Sequence, residues 1–163
     1  MSEETVLPQI ERLAELMQAH SYLLATAESC TGGGIAHEIT SISGSSVWFD
    51  RGFVTYSNEA KQEMLAVSLA MLEQYGAVSE ECARAMVEGA LAHSHADIAV
   101  SVTGIAGPGG GSTDKPVGTV CFGWCLRGQA ARSTRIVFSG DRHSVRRQTV
   151  LMALQGLLDM LEA

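Results

Sequence analysis

Three polar clusters carry residue types that catalysis uses, and each sits where an apolar run stops. The first, "TAESCTGGG", sets Ser29 and Cys30 side by side between the apolar residues 23–27 and three glycines. Either side chain becomes a nucleophile once a base takes its proton. If residues 32–34 open a helix, free amides and the positive end of the helix dipole lie beside Ser29 and Cys30, suited to a developing oxyanion. On that reading Thr31, Gly32 and Gly33 border the substrate. The plainer use of the same stretch is Ser29 or Thr31 as a helix cap, with glycines for close packing. It is not the G-x-S-x-G elbow, because Ala27 stands where the first glycine would be.

The second cluster, "TYSNEAK", supplies a base. Asn58 is expected to cap a helix whose first turn contains Lys61, the wrong end for a cation. The dipole and burial would both push the ammonium pKa down, as a lysine base requires. Tyr56, five residues earlier, is placed to orient or relay a proton. The bland alternative has Lys61 in water and Tyr56 in the core. The third cluster, "TGIAGPGGGSTDK", follows a strand-like run. Thr103 and the backbone after it, Gly104 and Gly107 included, either line a ligand pocket or form a mobile loop. It lacks the G-K-[ST] ending of a Walker loop, and no G-x-G-x-x-G precedes a helix. Last comes "SGDRHSVRR", where Arg142 and helix amides together would grip a phosphate. Asp141 reads as the cap there, and Arg146 and Arg147 either support that grip or face water. His37, His93, His95 and His143 read as surface residues. "HSHAD" offers two metal ligands with no further spacing to complete a site, so no metal is expected.

These clusters need elements to hold them. Ile10, Leu13, Leu16 and Met17 recur at helical spacing over residues 8–20. Residues 23–27 read as a buried strand, 33–42 as a helix with Ile35 and Ile39 on one face, and 51–57 as a second strand. A helix follows Asn58. A stronger one runs over 79–93, where Cys82, Met86, Val87, Ala90 and Leu91 make a stripe. Residues 97–104 form a third strand, 117–126 and 133–139 a hairpin around "RGQA", and 141–161 a long helix with Val145, Val150, Leu154 and Leu158 inward. Helices and strands alternate early and a hairpin comes late. That order predicts a three-layer α/β/α sandwich with a mixed sheet, as one domain over residues 1–163.

Composition bounds the function. The chain has 163 residues, 46% hydrophobic and 18% charged, enough for one core. A formal charge of −7 argues against a general nucleic-acid binder. Against that acidic average, the arginine cluster points to an anionic small molecule. No apolar run suits a bilayer, and the acidic, polar start does not resemble a signal peptide. Four cysteines without paired spacing read as reduced thiols, so the expected compartment is the cytoplasm.

The clusters, in this order, resemble the C-terminal domain family of the competence/damage-inducible protein CinA. The likeness is carried by "TAESCTGG", "GSSVWFDRGFVTYSNEAK", "GAVSE", "SVTGIAGPGGG", "KPVGTV" and "FSGDR". It implies hydrolysis of the carboxamide of nicotinamide mononucleotide to nicotinate mononucleotide and ammonia, by a serine/lysine pair without metal or cofactor. Carried onto this chain, it implies Ser29 as nucleophile, Lys61 as base and Tyr56 as their partner. It further implies Thr103 near the reacting group and Arg142 at the phosphate, with Ser46 and residues 104–110 as further binding elements. A homodimer is implied too. Two alternatives stand beside this reading: a cysteine amidohydrolase using Cys30, and a non-catalytic nucleotide-binding or interaction module of the same fold.

Overall fold

The computed structural model describes residues 6–163. Among these residues eleven α-helices and β-strands follow one another: α1 (Val6–His20), β1 (Leu24–Glu28), α2 (Gly34–Ile39), β2 (Phe49–Val54), α3 (Asn58–Leu65), α4 (Leu69–Tyr75), α5 (Glu80–Ala92), β3 (Ile98–Gly104), β4 (Thr119–Leu126), β5 (Arg132–Val137) and α6 (Arg142–Glu162). The strands form a single sheet in the order β2-β1-β3-β4-β5. β1 pairs in parallel with both β2 and β3, while β3-β4 and β4-β5 are antiparallel. The parallel pairs need crossovers, and helices supply them, so both faces of the sheet are covered. The α/β sandwich with a mixed sheet is thus the observed fold.

Strand alternation sorts the core into two layers. Leu24, Ile98, Val100 and Val102 pack with α1, α2 and α6. Ala25, Ala27 and Ala99 pack with α3, α4 and α5. The small residues of this second face let helices come close. A Cβ on Gly89 of α5 would lie 2.1 Å from the Leu65 carbonyl oxygen at the end of α3, so the two backbones touch there. That contact fixes the helix bearing Lys61.

The predicted stripes of α1, α5 and α6 are buried as expected, except that Leu16 is only partly covered. Several boundaries move. The second strand occupies Phe49–Val54 rather than 51–57, because the chain leaves the sheet after Val54 to start α3. The second helix is shorter than 33–42, ending at Ile39. The cap of α3 is Ser57, whose hydroxyl accepts from the Ala60 amide at 3.0 Å, and not Asn58. α4 was not anticipated. It has seven residues of which only Leu72 is buried, so no stripe announces it, although Ser68 caps it at the Met71 amide.

Candidate active site

The carboxyl ends of β1, β2 and β3 meet at one edge of the sheet, where open α/β folds collect ligands. A cleft of about 290 Å³ lies there, walled by Ser29, Tyr56, Lys61, Thr103, Gly107 and Arg142 among others. Its size is at the small end of ligand pockets, roughly 300–1,000 Å³.

Alternation along β1 decides which of the adjacent nucleophiles meets the base. Ala25 and Ala27 face α3, and Ser29, next in that series, faces it too; its amide extends the parallel pairing by donating to Val102 O at 3.1 Å. Cys30 turns to the other layer and packs with α1, α2 and α6. Burial pushes its thiol up to about 12, so it holds its proton at neutral pH.

Lys61 is 1% exposed. Its Nζ donates to Ser29 Oγ at 3.0 Å, to Thr55 O at 2.9 Å and to Tyr56 O at 3.3 Å. Its pKa is lowered from the ordinary 10.5, and loss of hydration on burial is the cause. The bland alternative of a solvated Lys61 is overturned. The dipole expectation changes as well: the side chain runs back past the first turn of α3 onto two carbonyls, and burial governs the shift.

Tyr56 is 61% exposed, so it is not a core residue. It meets Lys61 through its carbonyl, while its hydroxyl accepts from Arg142 Nη2 at 3.1 Å. The expected proton relay through the Tyr56 hydroxyl therefore has no contact to run along; that hydroxyl belongs to the mouth of the cleft. Arg142, the first residue of α6, also donates to Gly107 O at 2.9 Å, and Asp141 caps the helix by accepting from the Ser144 amide. Thr103 is buried and lines the cleft, its hydroxyl donating to Ala77 O at 2.8 Å. Gly104 and Gly107 line it too.

Four expected binding residues lie elsewhere. Thr31, Gly32 and Gly33 are not among the cleft's walls. Thr31 Oγ1 donates to the buried Glu28 carboxylate at 2.5 Å, and that carboxylate also accepts from the amides of Ile35 and Ala36. Glu28, rather than Ser29 or Thr31, thus satisfies the start of α2. The turn's own amides are partly spent: Gly32 donates to Ser29 O and Gly34 to Thr31 O, both at 3.0 Å. Ser46 is exposed in a short 3-10 turn just before β2. Since β2 runs parallel to β1, that turn sits at the amino ends of the strands, away from the cleft.

Residues given other roles in the sequence reading complete the surroundings of the site. Asn58, freed from capping, lines the cleft with Ala77 and Val78. Arg146 donates to the carbonyls of Cys30 at 3.2 Å and Thr31 at 3.1 Å, and Arg147 pairs with Glu38 at 2.7 Å. Glu28 had a readable signal, an acid at a strand end just before a helix. Arg146 had none beyond its spacing on α6. The "HSHAD" histidines are exposed, as expected: His93 Nδ1 lies 2.8 Å from Gly89 O, and the His95 backbone amide donates to Asp50.

A mixed α/β sandwich holding a buried serine–lysine pair at the carboxyl ends of its parallel strands is the class that fold and site define. The chain belongs to the CinA C-terminal domain family, whose profile matches residues 8–161. Nicotinamide-nucleotide amidohydrolase PncC of Enterobacter agglomerans is 51% identical over 158 residues, 97% of this chain and 96% of that protein. The protein of the same name from Escherichia coli K12 is 50% identical over 157 residues, covering 96% and 95%. Among solved structures, the competence/damage inducible protein CihA of Agrobacterium tumefaciens superposes with a TM-score of 0.92 at 42% identity, covering 97% of this chain and 96% of that one.

Proposed function

We propose that this chain is an amidohydrolase that converts nicotinamide mononucleotide and water to nicotinate mononucleotide and ammonia through an acyl-enzyme on Ser29. The observation that carries the reading is the Lys61 amine, stripped of water and 3.0 Å from Ser29 Oγ on the wall of a cleft. The names of full-length relatives at about half identity support the same substrate class.

In its neutral form the Lys61 amine has two N–H bonds and one lone pair. The carbonyls of Thr55 and Tyr56 take the two donors, which leaves the lone pair for the Ser29 hydroxyl proton. Burial favours that neutral form. Ser29 Oγ then bonds to the carboxamide carbon while Lys61 receives the proton. The tetrahedral intermediate collapses, Lys61 returns the proton to the nitrogen, and ammonia leaves. Water, deprotonated by the same amine, attacks the ester; Lys61 then returns that proton to Ser29 Oγ as its bond to the acyl carbon breaks, and the nicotinate nucleotide departs. Arg142, at the exposed mouth with Tyr56, is the group placed to meet the phosphate, and its bidentate fork suits that charge. Binding the phosphate fixes the distant carboxamide against Ser29. The reaction uses no metal or cofactor in this reading, and a single-domain cytoplasmic homodimer carries it.

Purified protein given nicotinamide mononucleotide in excess chelator is expected to release ammonia and nicotinate mononucleotide in equal amounts, with Ser29→Ala at background. Ammonia release undiminished in Ser29→Ala, or none from the wild type, would end the proposal.

A further inference from the structure

A Ser–Lys pair needs donors for the oxyanion, and the glycine turn cannot lend its Gly32 and Gly34 amides, which are already bonded. The turn carrying Ser29 is instead gripped from behind. Arg146, one helical turn beyond Arg142 on α6, donates Nε to Cys30 O and Nη2 to Thr31 O. It is not among the cleft's walls. Among the described residues no carboxylate forms an ion pair with it, so its charge falls on those two carbonyls.

The consequence follows from peptide geometry. In a trans peptide the C=O and N–H point opposite ways. Arg146 fixes the Thr31 carbonyl, and with it the Gly32 amide on the same peptide. That amide donates to Ser29 O, which fixes the Ser29–Cys30 peptide in turn. The Cys30 N–H then points to the far side of that peptide, where it also lies against the residue's own Sγ, and Cys30 lines the cleft beside Ser29. A chain of bonds in which each polarises the next would also strengthen the donor.

We propose that Arg146 is a positioning residue: by bridging the carbonyls of Cys30 and Thr31 it holds the nucleophile's turn so that the Cys30 amide serves as an oxyanion donor. This rests on the amidohydrolase reading, and its role is distinct from that of Arg142. Arg142 acts on binding of the substrate anion; Arg146 acts on the reacting bond alone.

The test compares Arg146→Met and Arg146→Lys with the wild type in kcat, KM and thermal unfolding, together with the rate at which a fluorophosphonate labels Ser29. Arg146→Met is expected to lower kcat by about 10²-fold with KM near the wild-type value, the usual scale for a mispositioned reacting group. Labelling of Ser29 should slow in parallel. Arg146→Lys, which keeps the charge but not the two-pronged bridge, should fold normally and recover only part of kcat. An unchanged kcat in the folded variants overturns the proposal, as does a fall that tracks the folded fraction or a loss expressed in KM alone. If the wild type labels at Ser29 in an Arg146-dependent way but hydrolyses no nicotinamide compound, the substrate assignment fails and the positioning role stands. If the wild type is neither active nor labelled, both fall.

Discussion

The two walls of the cleft are built differently. On the inner wall Ser29, Lys61 and Thr103 are buried, and their polar atoms are bonded to backbone carbonyls or to each other. On the outer wall Tyr56, Asn58 and Arg142 are exposed, and Arg142 donates to Gly107 O of a glycine-rich loop. Proton transfer needs a dry, fixed geometry, since water would return the amine to its ordinary pKa. Gripping a charged, solvated phosphate needs access from outside. The inner wall is therefore where substitutions should alter turnover, and the outer wall where they should alter affinity.

The largest effect should come from the inner wall. Lys61→Met is expected to lower kcat by about 10²–10⁴-fold, the usual worth of a positioned base, measured by ammonia release at saturating substrate. In the wild type, turnover should rise with pH as Lys61 loses its proton, with that limb below 10.5. Stability carries the same signature. Because the folded pKa lies below its ordinary value, the folded chain binds fewer protons than the unfolded chain between the two pKa values. The wild type should therefore gain stability relative to Lys61→Met as pH climbs through that window, and thermal melts across it would show this. A constant difference in stability would mean that Lys61 is not depressed.

Next comes the outer wall. Arg142→Ala should raise KM by about 10–100-fold, the worth of about 1.5–3 kcal/mol in charged hydrogen bonds, with kcat less affected. Nicotinamide riboside, lacking the phosphate, should be nearly blind to the same change. Tyr56→Phe, which removes one solvent-exposed acceptor from Arg142, should shift KM by only about 2–10-fold. A large kcat loss there would move Tyr56 to the inner wall. The smallest effect on rate belongs to Cys30→Ala. Its thiol, held up near about 12, takes no part in turnover, so activity should persist with about 1 kcal/mol less stability in denaturant melts.

Much of the scaffold was legible because burial writes a period into the chain. The stripes on α1, α5 and α6 each match one covered face, while the mostly apolar run of β3 is a strand buried on both faces. α4 was illegible because it buries too little to leave a period. Within the site, Ser29, Lys61, Thr103 and Arg142 could be singled out by residue type and by position at element ends. Thr31, Gly32, Gly33 and Ser46 share those features but point away or lie at the wrong end of the sheet.

The amino-acid sequence alone determined which residue types stand at the ends of which elements, because hydrophobic period and turn chemistry are local properties. Only the tertiary structure decided that Ser29 rather than Cys30 faces the amine, and that Glu28 and Arg146 brace the turn between them. Those outcomes depend on which helix covers which face of the sheet, and that depends on contacts between residues far apart in the chain.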